Sequence, residues 1–78
     1  MYVKDAVAQR FADLCMQKSI ALNELATRSG VTPSTVYSLM DCRRRDVSIT
    51  TIKKLCDGLA IPLTDFFNDP LFSDQEIR

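Results

Sequence analysis

The sequence predicts an all-α domain of five short helices with a tight helix-turn-helix near its centre. Three observations lead there. Apolar residues recur at spacings of three and four, alternation of period two is almost absent, and the breakers Gly30, Pro33, Gly58, Pro62 and Pro70 fall at or near the ends of the apolar stripes.

Val3, Val7, Phe11, Leu14 and Cys15 make one stripe, which predicts a first helix over 3–18. Leu22, Leu25 and Ala26 stripe a second, short helix, and Gly30 ends it because glycine adopts positive φ at little steric cost. Ala21 precedes that helix and is a poor cap, so its first turn is expected to fray. Thr32 restarts the chain, its hydroxyl expected to cap the next turn. Pro33 stands at the first helical position, where a missing N–H costs nothing, and the third helix is predicted over 33–40. After the polar connection 41–47, Ser48 is the expected N-cap of a fourth helix over 49–59 striped by Ile52, Leu55, Cys56 and Leu59. Leu63, Phe66 and Phe67 stripe a fifth. Residues 1–68 read as one domain and 69–78 as a short acidic tail with Pro70, Leu71 and Phe72 inside it.

A chain of 78 residues holds a single core and can bury only about 60% of its unfolded surface. With 46% apolar and 26% charged residues it lies in the ordinary globular range. No apolar run reaches the roughly 18 residues of a membrane span, and the start lacks a signal-peptide pattern, so a cytoplasmic protein without membrane attachment is expected. Three cysteines without a C-x-x-C pair, and no histidine, argue against a disulfide framework or a metal site. Cys15 and Cys56 fall on the apolar stripes and read as small core residues, whereas Cys42 reads as a surface residue for which a redox-sensing and a neutral role stay open. No Gly-rich phosphate loop or paired carboxylates are apparent, and the chain is too short to enclose a substrate, so neither an enzyme nor a cofactor is expected.

Net charge is zero, but its distribution is uneven. Residues 1–40 carry four basic and three acidic groups, 41–54 five and two, and 55–78 one and five. A basic centre followed by an acidic end is the footprint of a local polyanion site rather than of a basic protein.

Two helices joined by a Gly-containing corner form a rigid wedge that can place the second helix in the major groove. On a helical wheel started at Pro33, Ser34, Tyr37 and Ser38 fall within roughly 40–140°, while Val36 and Leu39 fall near roughly 300° and 240°. One face is polar and the other apolar. Serine discriminates bases weakly, so direct readout is expected to be modest, with Tyr37 adding apolar contact and a phenolic hydrogen bond, and DNA shape and water supplying the rest. The first amides of this helix, with Thr32 and Ser34, suit phosphate oxygens.

The stretches "LNELATRSGVTPSTVYSL" and "SITTIKKLCDGLAIPLTDFF" resemble the second to fifth helices of the small repressors of the lambda and 434 type, the Cro/C1 or XRE family, over residues 3–68. That resemblance implies a five-helix lambda-repressor-like domain that reads double-stranded DNA with its third helix. It implies base-reading residues Ser34, Tyr37 and Ser38, and phosphate-contacting residues Asn23, Thr32, Thr35, and one or two of Arg43, Arg44 and Arg45, with Lys53 or Lys54 as weaker candidates. It also implies a homodimer on an inverted repeat. With no second domain, the interface is expected at the C-terminal end around Phe67, Leu71 and Phe72. In the alternative, Leu63 and Phe66 are core and Phe72 packs back on helix one.

The sequence departs from the family in three places. Leu22 replaces the usual polar phosphate anchor, leaving Asn23 as its nearest substitute. Cys15 and Met40 replace an Arg and a Glu that often pair, a joint loss of both charges that can be neutral or stabilising. Cys42 stands near a family glycine. A competing reading is a protein-binding module, such as an antitoxin whose acidic stretch 65–76 holds a basic partner.

Overall fold

The computed structural model describes residues 2–73 as helices joined by short connections, with no strand among the described residues. The helices are α1 (Val3–Gln17), α2 (Leu22–Ser29), α3 (Pro33–Met40), α4 (Ile49–Gly58) and α5 (Leu63–Phe67), followed by a 3₁₀ turn over Pro70–Phe72. α1 stops one residue earlier than the stripe suggests, at its cap Lys18, and α4 ends at Gly58 with Leu59 as its cap.

α2 packs on both α3 and α4, while α1 meets α3 and the 3₁₀ turn. The core is the set that the stripes select: Phe11, Leu25, Ala26, Leu55, Cys56 and Phe66 are fully buried, and Val7, Val36, Leu39 and Leu59 nearly so. Cys15 is buried too. Burial raises both core thiols above their ordinary range, Cys56 to about 11.

Gly58 is set by packing rather than by backbone conformation. A Cβ there would stand 2.1 Å from Ser29 Oγ and 3.0 Å from the Ser29 amide nitrogen, so α4 approaches the end of α2 too closely for a side chain. Ser29 Oγ is itself buried without a hydrogen-bond partner among the described residues. Gly30 takes the left-handed conformation at φ 69°, as the α2 stop requires.

Two cations bind the periphery to this core. Lys4 is buried, and its ammonium donates to the Asp41 carbonyl at the end of α3. It makes the link between α1 and the end of α3 that Cys15 and Met40 leave without charges. Arg10 donates from Nε to the Phe66 carbonyl (2.8 Å) and from Nη2 to the Asp65 carbonyl (3.0 Å), and its Nη1 lies 3.2 Å from the Asp69 carboxylate. Its guanidinium also lies over the Phe66 ring. The Phe66 carbonyl, left open by the helix, is thereby satisfied from α1, and the Asp65 carbonyl gains a second donor beside the Asn68 amide.

Around this clamp Phe66 packs 4.4 Å from Phe11 and 4.9 Å from Phe67, and Phe72 packs 4.9 Å from Phe67, between ring centroids. Phe66 is therefore wholly core. Leu63, Phe67 and Phe72 are half-buried against the core of their own chain, and the 3₁₀ turn carrying Phe72 packs on α1.

Candidate nucleic-acid interface

The corner between α2 and α3 is closed by the backbone. The Gly30 amide donates to the Thr27 carbonyl (3.3 Å) and the Val31 amide to the Ala26 carbonyl (3.1 Å), which fixes the direction in which α3 leaves. Thr32 is extended, and its carbonyl accepts from the Thr35 amide at 3.0 Å.

The expected Thr32 side-chain cap does not form. Its Oγ1 lies 2.9 Å from Ser34 Oγ and 3.1 Å from Thr35 Oγ1, a cluster of three hydroxyls at the start of α3. Pro33 has no N–H and the Thr35 amide is held by the Thr32 carbonyl, so the Ser34 N–H is the first-turn amide of α3 left without a side-chain cap. Ala21 likewise gives α2 no side-chain cap.

The two faces of α3 separate as the wheel predicts. Val36 is 1% and Leu39 3% exposed, while Tyr37 is 54% exposed. Ser34 is also exposed, and Thr35 and Ser38 are half-buried at the edge. Tyr37 is not idle at the surface: its hydroxyl donates to Asn23 Oδ1 at 2.8 Å, joining the middle of α3 to the first turn of α2.

Beside this face lies a groove of about 270 Å³ lined by Thr35, Ser38, Arg44, Asp46, Ser48 and Thr51. Ser48 caps α4 as expected, accepting from the Thr51 amide at 3.0 Å. The groove thus joins the hydroxyls of α3 to the start of α4, with one guanidinium among them.

The three consecutive arginines do different things. Arg43 holds Asp41 through Nε (3.0 Å) and Nη2 (2.9 Å), and Asp41 also accepts from the Arg43 amide. Those hydrogen bonds bring the Asp41 carboxyl down to about 2. Arg45 lies 4.5 Å over the Tyr2 ring. Arg44 forms no ion pair among the described residues and lines the groove. Lys53 is paired with Asp57 one turn along α4, and Arg28 with Glu24 on α2.

The structure therefore gathers Ser34, Tyr37, Ser38, Thr32, Thr35, Asn23 and Arg44 on one side of the molecule, and part of the basic run is neutralised within the chain. The Lys53/Asp57 spacing of four carries part of that signal in the sequence. The Tyr37–Asn23 bond carries none, since its residues are 14 apart.

Cys42 is exposed, at the rim of a second groove lined by Lys4, Ala8, Ala12 and Met40. Of the proposed dimer residues, Phe67, Leu71 and Phe72 each keep part of their surface exposed. Asp74 and Glu76, two acidic groups of the tail, lie outside the described residues. Among the described residues no group of three potential ligands could hold a metal ion, and no helix is long and apolar enough to cross a membrane.

Comparison with known proteins agrees with this geometry. No curated protein matches the chain. The crystal structure of the prophage Lp1 protein 11 superimposes with a TM-score of 0.84 at 32% identity, covering 95% of this chain and 99% of that one. The family model of the Cro/C1-type helix-turn-helix DNA-binding domain matches residues 10–70, which span the corner, α3, the arginine loop and the Arg10 clamp. The chain belongs to the Cro/C1-type helix-turn-helix family of DNA-binding domains.

Proposed function

We propose that the protein is a sequence-specific transcriptional regulator that binds an inverted-repeat operator as a homodimer and represses by occluding a promoter. The observation that carries this reading is the exposed polar face of α3, held at a fixed angle by the Gly30 corner and flanked by uncapped helix starts and the Arg44 groove.

In this reading α3 enters the major groove. Ser34 and Ser38 meet base edges, and the Tyr37 ring adds apolar contact, for instance with a thymine methyl group. Thr32, Thr35, Asn23 and Arg44 hold phosphates, and Arg43, Arg45 and Lys53 join them by exchanging their intrachain partners for phosphate oxygens. Phe67, Leu71 and Phe72 form the dimer contact, which spaces two α3 helices about one turn of DNA apart, roughly 34 Å.

Selection from a random duplex pool at two salt concentrations tests the reading. An enriched inverted repeat with half-sites about one turn apart, and affinity falling steeply with salt, is the expected result. Weak binding with no enriched motif would shift the role to a protein partner, with the acidic stretch 65–76 as the place to look.

A further inference from the structure

The Tyr37–Asn23 hydrogen bond has a direction, and the direction matters for a ligand that can only accept. An asparagine amide has an accepting end and a donating end. Tyr37 donates to the accepting end, Oδ1, at 2.8 Å, so the NH₂ group is left for another partner. Asn23 is exposed on the first turn of α2, beside amides that Ala21 does not cap. The opposite orientation of the amide would present Oδ1 to that space and repel an anion.

We propose that Tyr37 is a positioning residue: its hydroxyl holds the Asn23 amide with the NH₂ outward, where it donates to a phosphate of the DNA backbone. The inference rests on the DNA-binding reading and sharpens it. The tyrosine ring reaches across the corner from α3 to α2, so the phosphate anchor and the reading helix are tied by one rigid side chain. Docking of α3 and seating of the phosphate then become a single event. It also supplies what Leu22 cannot, since an alkyl side chain has no donor for the phosphate oxygen. The phenolic hydroxyl acts through Asn23, while the exposed ring remains free to touch a base.

The variants Tyr37→Phe, Asn23→Ala and the double substitution separate these roles, with affinity measured on the selected operator and on a random duplex of equal length. Tyr37→Phe keeps the ring and removes only the donor. It is expected to weaken both DNAs by the same factor, roughly three- to tenfold, the scale of one hydrogen bond. The double variant should be no weaker than Asn23→Ala. Phosphate-ethylation interference gives a readout that a merely structural role would not move. One phosphate per half-site should block the original protein when ethylated, have no effect on Asn23→Ala and a reduced effect on Tyr37→Phe. Thermal melting of all three variants should match the original, since both side chains are exposed.

Loss confined to the operator would overturn the proposal and make the hydroxyl a base reader. So would unchanged binding to both DNAs, or effects of the two substitutions that simply add. If the original protein binds no duplex at all, the DNA-binding reading fails and this inference with it; if it binds and Tyr37→Phe binds equally well, only the inference fails.

Discussion

Arg10 and Arg43 use the same planar guanidinium at two ends of the molecule, to different effect. Arg10 has a side chain 13% exposed and spans from α1 to two carbonyls and a carboxylate more than fifty residues away. Arg43 has a side chain 86% exposed and holds a carboxylate two residues back in the chain. The first partner set cannot be exchanged without opening the C-terminal end of the fold. The second can be traded for another anion, because water already surrounds the guanidinium. Burial, rather than charge, separates scaffold from proposed interface here.

The largest effect is expected where that contrast is greatest. Arg10→Ala leaves the Phe66 carbonyl without its donor, takes one of two donors from the Asp65 carbonyl and removes the Asp69 ion pair, and should lower stability by about 2–4 kcal/mol in chemical denaturation. The folded fraction should still bind DNA as the original does. Next, Gly58→Ala drives a methyl group into Ser29 at the α2–α4 contact and should cost about 1–3 kcal/mol by the same measurement. Both substitutions lie in the scaffold and leave the reading face alone.

On the interface side the order reverses, with affinity moving and stability staying put. Arg44→Ala should weaken binding to every duplex alike and lower the slope of log affinity against log salt by about one. Arg43→Ala should do less, because Arg43 must first release Asp41. Asp41→Asn removes that competitor and a negative charge beside the phosphates, so affinity at low salt should rise roughly two- to threefold and the gain should shrink as salt increases.

The smallest effect is a predicted flat line. A carboxyl held down to about 2 contributes its pairing above the ordinary carboxylate range and loses it only as pH falls toward 2. The chain has no histidine. Affinity should therefore hold steady between about pH 5 and 8, the interval in which histidine ordinarily titrates. A clear change there in a binding titration would point to an ionisable group outside the Asp41–Arg43 pair.

How much of this was legible beforehand follows the same division. The helices and the core could be read because their signals are local: the Gly30 stop, Pro33 at a first turn, the Ser48 cap and the three-and-four stripes all act within a few residues. The opposed faces of α3 were legible for the same reason. The Thr32 cap was misjudged because its hydroxyl lies against those of Ser34 and Thr35 instead of capping an amide. Lys4, Arg10 and the Tyr37–Asn23 bond were beyond reach because their partners are 37, 55–56 and 14 residues away, brought near only by the packing of whole helices. The dismissal of part of the basic run was visible as spacing, but its meaning needed the exposed geometry of each pair.

The most direct test of the account is an amide NMR titration of the protein with the selected duplex. Resonance shifts concentrated at the starts of α2 and α3, at Ser34 to Ser38 and around Arg44 to Ser48 are the predicted result. Shifts centred on the C-terminal aromatic cluster, with the α3 face undisturbed, would contradict it.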